Sequence, residues 1–287
     1  MASVIEAQRY TFASHRLHQG AVVFYEQPGA IPPEFTTRHA GIVISTAQFH
    51  EASPWVLVMP LTENPPPVSP TPFRIAADRT VYLRADMVEA VLPVNANLTI
   101  AKAGKDGREN IFVPSDVVEA GISQFVDIIT PTAEKISKPR SPLVIGYGDI
   151  FLATNIPPSL SFTSNDGDSR ISKTGAFACL SRPNDLGIGM YVRGATNERF
   201  KSFRTSIDYS IPGFNPGYLV VNATYALSPG GRNILHRQHI GKKTILPRET
   251  LDELVLKIRA AVDPEAYKVV NARYLEGGQG NVQRARL

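Results

Sequence analysis

Arg84 and Asp86, in Tyr82-Leu83-Arg84-Ala85-Asp86, set a guanidinium and a carboxylate at i,i+2, two groups that can share acid–base work. On a strand, residues i and i+2 face the same side, so this guanidinium and carboxylate would project together toward one groove. Such a pair suits metal-free scission of an RNA backbone. That reaction needs a group to take the 2′-hydroxyl proton, a group to protonate the leaving oxygen, and positive charge on the developing phosphorane. The same spacing also describes an exposed structural ion pair, and surface pairs are common. A second cationic set, Arg232, Arg237, Lys242 and Lys243, surrounds His236 and His239. The two histidines lie at i,i+3 with no third ligand suggested by spacing, so no metal is expected and the run reads as a basic loop. It could face phosphates, although solvated charge is the default reading of any such run.

The elements that must carry these residues are written twice. Residues 111–129, IFVPSDVVEAGISQFVDII, and 244–262, TILPRETLDELVLKIRAAV, align without a gap. Val118, Ile122, Phe125 and Ile129 fall at i, i+4, i+7 and i+11, as do Leu251, Val255, Ile258 and Val262. Both segments are therefore expected to be amphipathic helices with one buried stripe. Pro114 and Pro247 stand where a helix tolerates a missing N–H, and Asp116 and Glu249 where a negative charge suits the dipole. Each helix closes a unit that opens with Gly20-Ala-Val-Val-Phe or Gly148-Asp-Ile-Phe-Leu. A repeat of this length implies duplicated domains rather than a solenoid.

The expected organisation is an arm over 1–15, a first domain over 16–131, a linker over 132–143, a second domain over 144–263 and a flexible basic tail over 264–287. In the first domain, strands are expected at Ala21–Tyr25, Gly41–Ser45, Val56–Met59, Thr80–Leu83, Ala90–Leu92 and Leu98–Ala101. Proline-bearing loops Gln27–Thr37 and Asn64–Pro72 separate them. The second domain repeats the scheme near Ile150–Ala153, Ala176–Leu180, Gly189–Val192 and Tyr218–Val221, with a polar loop at Ser161–Ser172. Short strands with one terminal helix argue for a small barrel-like β domain.

Composition bounds the setting. With 43% hydrophobic residues and no long apolar run, the chain reads as globular, without a membrane segment. The lone Cys179 excludes an internal disulfide, no secretory leader is visible, and the cytoplasm is the simplest compartment. The net charge of +4 favours polyanionic partners only weakly. No cofactor motif such as a glycine-rich phosphate loop is visible, so none is expected.

In order and spacing, these residues resemble the Kid/MazF/PemK toxin endoribonucleases. Gly20-Ala21, then Arg38-His39-Ala40-Gly-Ile-Val-Ile-Ser, then Val58-Met59-Pro60-Leu61-Thr62, then Arg84-Ala85-Asp86 and the helix led by Val113-Pro114 occupy that family's signature places. The resemblance covers essentially the whole first unit. It implies two tandem SH3-like barrels, mainly β within an α+β class, each closed by a C-terminal helix. Asp86 becomes the base, Arg84 the acid or phosphate stabiliser, Arg38 a phosphate clamp and Thr62 a phosphate hydrogen bonder, with His39 beside Arg38 in the substrate set.

The first unit departs from the family pattern with Ala21 where an acid is usual and His39 where Pro is usual. The second unit keeps Gly148-Asp149 and the Pro247-led helix, but Val220 and Asn222 stand where Arg84 and Asp86 would be. Family members act as two-fold dimers, so the two copies would form an intramolecular pseudo-dimer, with Asp149 and the Arg232–Lys243 loop lining the groove. The implied partners are single-stranded RNA and an antitoxin or other protein. Three readings follow: a metal-independent endoribonuclease with one competent site; an inactive double barrel that binds nucleic acid or protein; and an inhibitor or scaffold using only the fold.

Overall fold

The computed structural model describes residues 17–26, 38–52, 56–65, 72–76, 79–91, 98–103, 109–132, 135, 145–154, 174–181, 189–196, 206–210, 215–227 and 239–284. The N-terminal arm, nearly all of the linker, the loops Gln27–Thr37 and Ser161–Ser172, and Arg232, His236 and Arg237 lie outside them.

The molecule is mixed α+β, mostly strands, with antiparallel sheets, one of them curled into a half-barrel. Strands β1 (Val22–Tyr25), β2 (His39–Val43), β3 (Val56–Thr62), β4 (Pro72–Ala76), β5 (Arg79–Leu83), β6 (Glu89–Val91) and β7 (Thr99–Ile100) form a first sheet ordered β4-β5-β3-β2-β1-β7, with β6 also on β3. A small ribbon pairs β8 (Lys102–Ala103) with β9 (Glu109–Asn110). Helix α1 (Ala47–Ala52) follows β2, and α2 (Ser115–Ile129) closes the half.

The second half supplies β10 (Asp149–Thr154), β11 (Thr174–Cys179), β12 (Gly189–Ala195), β13 (Ser206–Tyr209), β14 (Gly217–Leu227) and β15 (His239–Ile245), ordered β13-β14-β12-β11-β10-β15. Helices α3 (Arg248–Val262) and α4 (Pro264–Arg284) follow. Read along the two orders, each strand meets its counterpart: β4 with β13, β5 with β14, β3 with β12, β2 with β11, β1 with β10 and β7 with β15.

The correspondence reaches individual hydrogen bonds. Gly20 and Gly148 both adopt a positive φ, +86° and +79°, a conformation that a side chain would strain. Their N–H groups donate to Val43 and Cys179 at 2.8 Å, and their carbonyls accept from Val113 and Leu246. Pro114 and Pro247 then cap helices of equal length with nearly equal backbone angles. The two expected helices form over the segments read as repeats.

The halves are packed together. One hydrophobic cluster runs from Val22, Ile42, Met59 and Leu83 through Phe125 to Tyr147, Leu219, Leu254 and Ile258. Across the seam α2 meets α3, while β6 and the short turn before it meet β14. This burial supplies the main stabilisation, at roughly 25 cal/mol per Å² of apolar surface removed from water.

Several elements depart from the sequence reading. Pro72 opens β4 rather than ending a loop, because the first residue of an edge strand can lack an N–H. The end of the supposed basic loop is strand β15, an edge of the second sheet. The supposed flexible tail starts as helix α4. Asp263 Oδ1 accepts from the N–H of Glu265 at 2.9 Å, Pro264 takes the first helical position, and Ala266 and Val270 pack on Ala260. Glycines further along had masked that start.

Candidate functional site

The register of β3 explains where Arg84 and Asp86 sit. Leu61 and Thr62 pair with Leu83 and Tyr82 of β5, and Val56–Val58 pair with Val91–Glu89 of β6. Between those ladders Pro60 has no N–H to offer, so the chain opposite leaves the sheet. Arg84 N–H donates to the Pro60 carbonyl at 2.9 Å, and Met87 N–H donates back to the Arg84 carbonyl, closing a 3₁₀ turn over Ala85–Met87. The strand geometry expected for the triplet is therefore corrected: the two residues do not alternate along a strand.

The turn brings them into direct contact instead. Arg84 Nε lies 2.8 Å from Asp86 Oδ1 and Nη2 lies 2.9 Å from Oδ2, a bidentate pair. Their side chains keep 12% and 17% exposure, so the pair is mostly covered but not sealed. Ala85 and Met87 anchor the turn in the shared core, where it packs on α2 and β3 and on β12 and β14 of the second half. The pair thus stands at the seam.

The second half interrupts its ladder at the same place. Gly194 and Ala195 pair with Leu219 and Tyr218, Val192 pairs with Thr224, and the register shifts between them. Leu219 is thus the counterpart of Leu83, which puts Val220 and Asn222 where Arg84 and Asp86 stand. The chain here remains strand β14, and Val220 is buried at 2% exposure. The carboxylate and guanidinium belong to the first half alone.

Thr62 and His39 lie near this site. Thr62 faces Tyr82 across β3 and β5, and continuing the β2–β3 register from Gly41 and Pro60 puts His39 opposite Thr62. His39 Nε2 donates to the Leu61 carbonyl at 2.9 Å, and its ring meets Tyr25 edge-on at 6.3 Å. Burial lowers the His39 pKa, with the Leu61 carbonyl opposing, so the ring is neutral near pH 7. Thr62 Oγ1 accepts from the Asn64 N–H, a local turn contact.

Arg38 is not brought to this cluster. It turns toward the β1–β7 edge, where its guanidinium lies 5.4 Å over the Phe24 ring and donates to Thr99 Oγ1. From β1 to β5 the sheet spans three strand spacings, roughly 14 Å. Lys243 is corrected as well. Its ammonium lies 3.5 Å from Asp149, buried at 1% exposure, whose Oδ2 also accepts from the Gly146 N–H. Both Lys243 and Asp149 therefore serve the fold. Lys242 lies on β15, and its side chain is outside the described residues, as are Arg232 and Arg237.

Three further features were missed. Tyr25, fully buried, stands close to buried Glu89, and burial first and that carboxylate second hold its hydroxyl well above the usual range. Its place two residues after Val23, on the same face of β1, was the available signal for Tyr25. Ser45 Oγ and His50 Nε2 lie 2.8 Å apart, the contact of a nucleophile and its base, yet both residues have 0% exposure and no substrate can reach them. A cleft of about 660 Å³ between α2 and the α3–α4 corner is floored by Val118, Ile122 and Val262 and rimmed by Glu119 and Asp127. Its lining also holds the Arg259–Asp263 ion pair, and neither Arg84 nor Asp86 lines it.

Among the described residues no three His, Cys, Asp or Glu side chains form a metal-ligating group. No helix among them is long and apolar enough to cross a membrane. Compared with known proteins, the chain matches no family model and no curated protein.

Proposed function

We propose that the chain is a metal-independent endoribonuclease acting on single-stranded RNA, built as an intramolecular pseudo-dimer of two Kid/MazF/PemK-like barrels with one competent half. The retention of a contacting guanidinium and carboxylate at the seam carries this reading, against Val220 and Asn222 in the other half. The arrangement of the seam favours a pseudo-dimer, because α2 faces its counterpart α3 and the Arg84 turn with β6 faces its counterpart in β14.

An RNA phosphate competes with Asp86 for the guanidinium of Arg84, which has two donors ready for one oxyanion pair. Asp86, released, takes the 2′-hydroxyl proton. The 2′-oxygen attacks phosphorus, the bond to the 5′-oxygen breaks as that oxygen takes a proton from Arg84, Asp86 returns its proton to Arg84 through their direct contact, and the products are a 2′,3′-cyclic phosphate and a 5′-hydroxyl. Arg84 holds the charge that develops on the phosphorane. Thr62 and neutral His39 line the approach, and the second half forms a wall.

The mutual closure and low exposure of the pair favour a second reading, an inactive double barrel that binds RNA or a protein partner such as an antitoxin. Incubation with long single-stranded RNA in EDTA separates the two. Cleavage lost in Arg84→Ala and Asp86→Asn supports the enzyme, binding without cleavage supports the second reading, and neither activity leaves a scaffold.

A further inference from the structure

We infer that Phe24 and Arg38 form a stacking platform for an RNA base on the β1–β7 edge of the first half. Phe24 is 37% exposed, whereas its neighbours Val22, Val23 and Tyr25 are at most 2% exposed. An aromatic ring left in solvent on an otherwise buried strand calls for a reason. The Arg38 guanidinium lies 5.4 Å over that ring. It is steered by Thr99, which the register sets directly opposite Phe24 and whose Oγ1 accepts from Nη2.

No carboxylate among the described residues pairs with Arg38. A planar cation over an exposed ring, paired with no carboxylate among the described residues, offers a base a face to stack on and its phosphate a positive charge. Lys102, exposed on β8 and hydrogen-bonded to Asn110, follows β7 closely in the chain and is a further cation of this half. Glu26 and Glu109, also exposed nearby, are the acidic groups this surface must outweigh. The β1–β2 and β10–β11 registers make Leu152 and Thr174 the counterparts of Phe24 and Arg38, so this feature too belongs to the first half only.

The inference rests on RNA being the ligand of that half, and its test does not depend on cleavage. The full chain is titrated with a fluorescein-labelled 2′-O-methyl oligouridylate of about twelve nucleotides, which has no 2′-hydroxyl to attack, and with an abasic strand of the same length. Phe24→Ala weakens oligouridylate binding about tenfold, Phe24→Tyr restores it to within about twofold, and the abasic strand ignores both changes. Arg38→Gln lowers the slope of log K against log salt by about 0.7, one phosphate contact. Circular dichroism melting confirms that each variant is folded. Unchanged affinity in folded Phe24→Ala, equal binding of the abasic strand, or no binding by the parent chain would each overturn the platform. A chain that binds in this way but cleaves no RNA defeats the nuclease reading and leaves the platform standing.

Discussion

The hydroxyl of Tyr147, in the second half, donates to the carbonyl of Ile129, the last residue of α2, at 2.8 Å. Lys135 sits over the Tyr147 ring and donates to the carbonyls of Asp127, Ile128 and Thr130. Together they satisfy carbonyls that the helix end leaves without partners, and the cation suits the negative pole of its dipole. Burial, more than nearby charges, holds the Tyr147 hydroxyl above its usual range, so it remains a donor.

Tyr147→Phe leaves the Ile129 carbonyl buried without its donor and lowers stability by about 1 to 2 kcal/mol. Urea unfolding followed by circular dichroism measures the change. Because one core spans both halves, the parent chain unfolds in a single transition. Two separated transitions would contradict the shared core.

Arg84→Val with Asp86→Asn copies the second half into the first. Removing one partner of a mostly covered pair strands a charge, so Arg84→Ala alone is expected to lose about 2 to 4 kcal/mol. The double replacement removes both charges together and stays within about 1 kcal/mol of the parent. On the proposed nuclease reading, cleavage of RNA in EDTA disappears in both. Cleavage surviving the double replacement would remove these residues from the mechanism.

Gly41→Ala destabilises the first sheet. A Cβ there would lie 2.5 Å from Val58 Cγ1, 3.0 Å from the Met59 carbonyl oxygen and 3.1 Å from the Tyr25 ring. The backbone cannot yield cheaply, so the expected loss is about 1 to 3 kcal/mol in urea midpoint analysis. A neutral or stabilising effect would show that β2 and β3 are less closely joined than their register indicates.

Acid weakens the fold through His50. Burial holds its pKa down to about 4, with the Leu17 carbonyl favouring and His18 opposing the charged form. The unfolded value is about 6.5, so the folded chain binds fewer protons between the two. This contribution is complete above about pH 6.5 and is lost as pH falls toward 4, about 3 kcal/mol in all. His39, also lowered by burial, acts in the same direction. Urea midpoints at neutral and acid pH should differ less in His50→Gln than in the parent; equal differences would clear His50.

Much of the fold was legible locally. The stripe of Val118, Ile122, Phe125 and Ile129 and its repeat at Leu251, Val255, Ile258 and Val262 sufficed for α2 and α3, because helix periodicity is written within one segment. The β-branched runs at β1, β3 and β10 were legible for the same reason. Strand β15 was not, because the lysines of an edge strand look like those of a loop. The start of α4 was obscured by glycines that lie beyond its cap and first packing turn.

The candidate site divides in the same way. Residue order alone determined that Arg84 and Asp86 are present once and that Val220 and Asn222 replace them in the second half. Only the tertiary structure decided how the pair is held, because a missing N–H at Pro60, distant in sequence, turns the chain out of the sheet and folds guanidinium onto carboxylate. Tertiary packing likewise sent Arg38 to Phe24, locked Lys243 onto Asp149 and placed the second half over the Arg84 turn. Periodicity and caps are properties of neighbours along the chain; charge pairing and exposure depend on what the rest of the chain brings alongside.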